Sequence, residues 1–267
     1  ATVFEFTSRA FNPAEKKAVF NYKTKFEDSE PLSFTETIIF PSISDISHVS
    51  KELLEKLLQS LHIMLGVSYY KSYCATKVIL PYALSKKEAD FWNTVYKKGL
   101  GEFFYKNKLD PNQFSLFKEN SQMNADGTQI NAGNLCVNPR KSATPTKILV
   151  GVGGGKDSIV SAELLKEAGV DFNAFIVETG KHSPLTDKVA SVMGKKLFKI
   201  QRIMDSKIHE KHLYSGHIPI SAIYAFLGIF ACVVYKYSHI IVGNEHSSNF
   251  GNINYKGLEI NHQWSKS

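Results

Sequence analysis

Residues 147–169, KILVGVGGGKDSIVSAELLKEAG, carry the densest potential for chemistry in the sequence. Gly153, Gly154 and Gly155 follow a short apolar run and precede Lys156, Asp157 and Ser158, after which apolar residues recur at helical spacing. A strand that feeds a glycine turn and then a helix start is an anion site by construction. The unpaired N–H groups of the first turn converge on one spot, and the helix dipole adds to them. Glycine lets phosphate oxygens reach the backbone without a Cβ in the way. On this reading the N–H groups from Gly153 to Asp157 and the Ser158 hydroxyl hold phosphate, and Lys156 adds a point charge. Asp157 faces a magnesium ion or the loop backbone, because a bare carboxylate beside phosphate is repulsive. The plainer alternative is a turn that only packs helix on strand. The spacing is neither GxxxxGK[ST] nor GxGxxG followed by an acid about twenty residues on.

The loop resembles the SGGxDS pyrophosphate loop of the N-type ATP pyrophosphatases, with Gly153 where the first serine usually stands. The resemblance implies ATP and magnesium as ligands, the β,γ-phosphates lying in the loop, and adenylation of a substrate with release of pyrophosphate. Further candidates stand just after strand-like segments. Glu178 closes one, and Gly243-Asn244-Glu245-His246-Ser247-Ser248-Asn249 follows another, so Glu178, Asn244 and Glu245 are read as nucleotide contacts. A solvated turn is the alternative for that second loop. His217 heads a long apolar helix, where the dipole tunes an imidazole for acid–base work or the residue simply caps the helix. His262 and Lys266 lie in the closing NHQWSKS, while His182, His209 and His212 read as surface. Tyr69, Tyr70 and Lys71 follow an expected helix stop at Gly66 and are read as substrate contacts in a cleft, or else as a tyrosine-rich edge packed on a sheet.

The elements that position these residues divide the chain in two. Residues 1–140 read as a smaller α+β domain that could bind substrate. It has strands over 2–7, 18–26, 33–40 and 76–82, an amphipathic helix capped by Ser44 or Asp45 and stopped at Gly66, and a second helix over 86–98. The aromatic residues Phe91, Trp92, Tyr96, Phe103, Phe104 and Tyr105 read as core. Residues 121–146 are Asn, Gly, Ser, Pro and Thr-rich and mark the boundary. Residues 141–267 alternate strand and helix, the rhythm of a parallel doubly wound sheet with ligands at the carboxyl ends of its strands. In the helix after the glycine loop, Ile159, Val160, Ala162, Leu164, Leu165 and Ala168 are expected to form a buried face. The fold class is therefore α/β: a parallel doubly wound, pyrophosphatase-like domain preceded by a smaller α+β domain.

With 267 residues, 43% hydrophobic and 21% charged, the chain has the composition of an ordinary soluble globular protein. A formal charge of +7 suits anionic ligands such as nucleotides. Three cysteines, scattered and without a CxxC pair, argue against a disulfide framework or a zinc site and fit a reducing cytoplasm. The apolar stretch 218–235 is at the lower limit for crossing a bilayer, but between two strand-like segments it reads as a buried core helix.

LGVSYYK (65–71), GLGEFFYKN (99–107), VGGGKDS (152–158), SGHIPISA (215–222), VGNEHSSN (242–249) and NHQWSKS (261–267) together are similar to one family. It is the ATP-dependent UDP-N-acetylmuramoyl-L-alanyl-L-glutamate epimerase family of bacterial cell-wall synthesis, and the resemblance covers most of the chain. It implies a UDP-N-acetylmuramoyl dipeptide as partner, no nucleic acid, and a cytoplasmic reaction in which ATP activates the terminal glutamate carboxyl for inversion at its α-carbon. Such an inversion needs two acid–base groups, for which His217, His246, His262 and Lys266 are candidates without ranking. Members of that family continue past the HQWSK stretch, so a chain ending at Ser267 reads either as a truncated domain or as a shortened relative that only binds ATP. A tRNA- or deazapurine-modifying pyrophosphatase, and an ATP-binding module without turnover, are the rival readings.

Overall fold

The computed structural model describes residues 1–43, 45–114, 116–119, 147–153, 155–180, 184–195, 197–210, 213–244 and 246–266. The chain opens as an antiparallel meander. β1 (Val3–Asn12), β2 (Lys17–Lys25) and β3 (Leu32–Ile39) alternate inward and outward residues, so that Phe4, Phe6, Phe20, Tyr22, Phe34 and Ile38 line one face. A bulge between Phe6 and Ser8 adjusts the β1–β2 register.

α1 (Lys51–Tyr70) lies across that face. Ser50 is its N-cap, its side chain accepting from the Leu53 N–H at 3.2 Å. Asp45, expected as a cap, instead accepts from the Ser47 N–H five residues upstream of the cap, and Ser44 lies outside the described residues. The helix also runs on through Gly66. A Cβ there would stand 2.4 Å from Phe6 Cε1, so this glycine allows close helix–sheet approach rather than a stop. β4 (Lys77–Ile79) then pairs parallel with β1. α2 (Lys86–Gly99) begins with a capping box of Ser85 and Glu88, and α3 (Gly101–Lys106) turns off its end. Trp92, Tyr96, Phe103 and Phe104 are buried as expected, whereas Phe91 and Tyr105 are exposed.

The rest of the chain alternates: β5 (Ile148–Gly151), α4 (Lys156–Glu167), β6 (Phe172–Glu178), α5 (Pro184–Val192), β7 (Leu197–Ile203), α6 (Ile220–Val234) and β8 (His239–Ile241), then a hairpin of β9 (Ile253–Tyr255) and β10 (Leu258–Ile260). β7, β6, β5 and β8 are mutually parallel. The parallel sheet expected from the sequence is, however, one half of a mixed sheet. β3 pairs antiparallel with β7, giving the order β4-β1-β2-β3-β7-β6-β5-β8. The fold is α/β around a mixed sheet, and residues 120–146, where the sequence puts its boundary, lie outside the described residues.

At the seam Arg202 of β7 reaches Glu36 of β3 through Nε (2.5 Å) and Nη2 (3.3 Å), and its Nη2 donates to Ser68 Oγ at 2.7 Å. All three residues are buried. One apolar cluster spans both halves, from Phe4 and Met64 to Leu149, Phe175 and Leu227, with α1 and α6 on the same side. A smaller cluster lies under α4 and α5 on the other side. α6 is a core helix of 15 residues, about 22 Å long and short of a bilayer core of about 30 Å. Among the described residues no helix is long and apolar enough to cross a membrane.

α4 departs from expectation. Ala162 is buried and Leu165 half-buried, but Ile159, Val160 and Leu164 are 39%, 56% and 60% exposed, and Ala168 is also exposed. Apolar residues occupy more than half the helix circumference, and a helix laid on one sheet face covers only one stripe.

Candidate functional site

Counted along the parallel strands alone, the sheet order is third, second, first, fourth, which reverses direction between β5 and β8. That reversal opens a crevice beyond the carboxyl ends of the two strands, where doubly wound sheets take ligands. The glycine loop and the Gly243 loop both emerge there. Ile148 pairs with His239 and Val150 with Ile241, so residues 151–153 and 242–244 leave the sheet side by side.

The loop is anchored below and open above. The Val152 N–H donates to the Phe175 carbonyl at 2.8 Å, and Val152 is buried. Gly153 and Gly155 are exposed, and a Cβ on either would meet no protein atom within 4 Å. Gly155 is the N-cap of α4 and offers no side-chain cap, so the first-turn N–H groups face the crevice without a side-chain partner at the cap. Gly154 lies outside the described residues. Lys156 is exposed and Asp157 half-buried on the first turn. The Ser158 hydroxyl, read as a phosphate donor, is buried and donates to the Gly155 carbonyl at 2.9 Å, tying the loop to the helix. Gly243 packs on this turn: a Cβ there would lie 2.8 Å from the Asp157 carbonyl carbon and 2.9 Å from its Cβ and O. Asn244 is exposed beside it, and Glu245 lies outside the described residues. Glu178 ends β6 three residues beyond the partner of Gly151, about 10 Å farther along the strand, with Lys199 Nζ at 3.8 Å. Among the described residues no three His, Cys, Asp or Glu side chains gather as a metal centre, so magnesium here would depend on Asp157 and on oxygens of the nucleotide.

A second set of groups meets at a corner formed by the end of α1, α3, residues 214–219 and the C-terminal segment. Gly216, at φ +148°, packs on Phe103, and a Cβ would stand 3.1 Å from that ring. Asn107 Nδ2 donates to the Ser215 carbonyl at 3.0 Å, and Lys71 Nζ donates to the Gly216 carbonyl at 3.2 Å. Gly101 abuts Ile260. These contacts bring Glu102 and Lys106 of α3 together with His217, His262 and Lys266. Glu102 and Lys106 form an ion pair at i,i+4, and its hydrogen bond with Lys106 holds the Glu102 carboxyl below the usual range. His217 is half-buried, and burial lowers its pKa. Glu102 opposes that shift, while His262, Lys106 and Lys266 add to it. His217 lies three residues before α6, whose N-cap is Pro219, so its environment is this corner rather than the helix start.

The chain links the two sites. After the Gly243 loop, residues His246–Asn249 form a short 3-10 turn. Ser248 Oγ donates to the Lys266 carbonyl at 3.0 Å, and Asn261 Nδ2 donates to the Ser248 carbonyl at 2.7 Å. His246 is exposed with its ring edge on Phe250.

Residues 1–267 match the MurL N-terminal domain family. The chain belongs to that family. A UDP-N-acetyl-alpha-D-muramoyl-L-alanyl-L-glutamate epimerase from a Micromonospora species is 33% identical over 267 residues, 98% of this chain and 56% of the relative. Proteins of the same name from Salinispora tropica and Xanthomonas oryzae pv. oryzae are 31% and 30% identical, covering 98% and 80% of this chain. The chain spans about half the length of the curated relatives it matches, 56%, 55% and 45%.

In this MurL N-terminal domain the tyrosines expected in a cleft are core residues. Tyr69 and Tyr70 belong to α1 and are 0% and 1% exposed. Tyr69 hydrogen-bonds Glu36 and accepts from the Asp205 N–H at 3.2 Å, and Tyr70 donates to the Ala75 carbonyl at 3.2 Å. Continuation of the helix past Gly66 turns both rings onto the sheet. Only Lys71, at the helix end, reaches the corner. Glu102, Lys106 and Asn107 are the residues the sequence reading passed over, because the aromatic residues between them explain the segment as core. The available signal was a Glu and a Lys four apart on one short helix face.

Proposed function

We propose that the protein takes part in ATP-dependent inversion of the terminal L-glutamate of UDP-N-acetylmuramoyl-L-alanyl-L-glutamate through an acyl-adenylate, in peptidoglycan precursor synthesis. The observation that carries the reading is the glycine loop at the β5/β8 reversal, whose Gly153 and Gly155 have neither a left-handed φ nor a packing neighbour to explain them. A ligand pressed against the backbone explains both, beyond the N-cap role of Gly155. The names of the relatives supply the substrate class.

The chemistry follows from charge. An α-proton beside a carboxylate is hard to remove, because the carbanion would stand next to a negative charge. When the carboxylate oxygen attacks the α-phosphorus of ATP, the bond to the β,γ-diphosphate breaks and the resulting mixed anhydride no longer carries that charge. A base can then take the α-proton, and a donor on the opposite face returns one. Water finally cleaves the anhydride to the D-glutamyl product and AMP. In this scheme the N–H groups of Gly153 and Gly155, with Lys156, hold the diphosphate as it leaves. Asp157 would hold magnesium, which would offset the charge of the phosphates. His217, His246, His262 and Lys266 are candidates for the proton transfers, His246 standing just after the Gly243 loop. A reaction that consumes ATP and a nucleotide-linked precursor belongs in the cytoplasm.

The test is incubation of the full-length protein with ATP and magnesium, with and without the muramoyl dipeptide. One AMP and one pyrophosphate per inversion, only with the dipeptide, are expected. ADP as the nucleotide product would contradict the adenylate route.

A further inference from the structure

The corner around His217 holds far more positive than negative charge. Lys71 comes from the end of α1, Lys106 from α3, and His262 and Lys266 from the C-terminal segment, while Tyr214 packs edge-on against Phe103 beside them. Glu102 is the carboxylate that acts most on His217, and it is already paired with Lys106. Two of the basic groups are partly withdrawn from water: Lys71 and His217 are half-buried, and Lys71 with Asn107 holds the 215–217 turn in place. A half-buried imidazole facing cations resists protonation unless an anion joins them.

We propose that this corner is a proton-linked oxyanion site: a carboxylate or phosphate group of the substrate docks among Lys71, Lys106, Lys266 and His262, and its arrival puts a proton on His217. The inference rests on the epimerase reading only for the identity of that substrate. Without the anion, burial and the neighbouring cations keep the imidazole neutral. With it, the added negative charge offsets the field of the neighbouring cations, and the proton is drawn from solvent. The proton then stands ready for return to the substrate α-carbon, the N–H bond breaking as the carbanion pair forms the C–H bond. The two demands of an inversion, a neutral base and a charged donor, are met by making the donor's charge depend on substrate.

The experiment is an NMR titration of the His217 imidazole, alone and with inorganic phosphate or glutarate as probe. It is run on the protein, on Glu102→Gln, and on the Lys106→Gln/Lys266→Gln double variant. At least one anion should raise the His217 pKa by about one unit, equivalent to about tenfold tighter anion binding at low pH than at high pH. Response to phosphate alone assigns the site to the diphosphate of the nucleotide sugar, and response to glutarate alone assigns it to a substrate carboxyl. Glu102→Gln should lower the starting pKa, and the double variant should keep its fold while losing the anion response. An unchanged His217 with both anions, or an equal rise in the double variant, would overturn the proposal. Shifts confined to the amides of Gly153 and Gly155 would do the same, since the anion would then occupy the other loop. AMP formation with a silent His217 would sink this inference and spare the reaction, and an anion-responsive His217 without AMP would do the reverse.

Discussion

Gly153→Ala and Gly155→Ala should separate folding from ligand binding. At both positions an added Cβ meets no protein atom within 4 Å, and Gly155 sits at φ −92° and ψ 166°, extended backbone that alanine adopts freely. Alanine restricts the unfolded chain, a gain of about 0.4–1 kcal/mol for the folded state. At Gly155 this is offset by a loss of similar size, because alanine is a poorer N-cap than glycine. Net stability should therefore move by less than about 1 kcal/mol at either site. Ligand affinity should not escape. A phosphate oxygen bonded to these amides sits about 2.9 Å from nitrogen, in space the new methyl groups would enter. Losing a single charge-assisted hydrogen bond removes about 1.5–3 kcal/mol, which weakens ATP binding about 10- to 100-fold. Gly243→Ala is the internal contrast: its Cβ would stand 2.8 Å from the Asp157 carbonyl carbon, and backbone cannot swing aside as a side chain can. Overpacking of that kind costs about 1–3 kcal/mol. Urea unfolding midpoints and calorimetric titration with ATP and magnesium measure both quantities. A loss of more than about 2 kcal/mol at Gly153 and Gly155 with unchanged nucleotide affinity would refute the reasoning and make the loop a packing turn.

Three other expectations concern the frame. Arg202→Met strands Glu36 in the core and should cost about 3–5 kcal/mol in urea unfolding, whereas Arg202→Met with Glu36→Leu should recover most of that loss; equal damage in both would mean that the pair is not what joins β3 to β7. His62 is buried among Phe6, Phe20 and Tyr22, its Nε2 donating to the Asn21 carbonyl at 3.1 Å and its Nδ1 without a hydrogen-bond partner, and burial takes its pKa down to about 4. The unfolded chain binds this proton below about pH 6.5 and the folded one does not. The histidine's share of stability is thus complete above that pH and falls by about 3 kcal/mol toward pH 4, a slope that His62→Leu should remove from unfolding curves taken across that range. Tyr70→Phe should cost about 1 kcal/mol through its bond to the Ala75 carbonyl and leave the Michaelis constant for the muramoyl dipeptide unchanged; a raised constant would return the ring to the substrate.

The sequence made the strands and the loop legible because their signals are local. Alternation over residues 2–40 and the β-branched run before Gly153 each settle an element without reference to the rest of the chain. The parallel half followed from strict strand–helix alternation. The β3–β7 seam did not, since nothing near Glu36 or Arg202 announces a partner 166 residues away. Gly66 misled for a related reason: a helix stop and a helix–sheet contact both ask for glycine, and only Phe6 across the interface decides between them. On that mistake turned the placement of Tyr69 and Tyr70. The histidines of the corner were visible as residue types, but their meeting depends on Gly216 against Phe103 and Gly101 against Ile260, contacts without a sequence signature. The aromatic residues around Glu102 concealed it by giving the segment a sufficient explanation as core.

The most direct measurement of the central claim is the isotopic composition of the product formed in deuterium oxide by the full-length protein. The account predicts D-glutamyl product carrying deuterium at the α-carbon, formed only with ATP and accompanied by an equal amount of AMP. Inversion that retains the original α-hydrogen, or that runs at full rate without ATP, would contradict it.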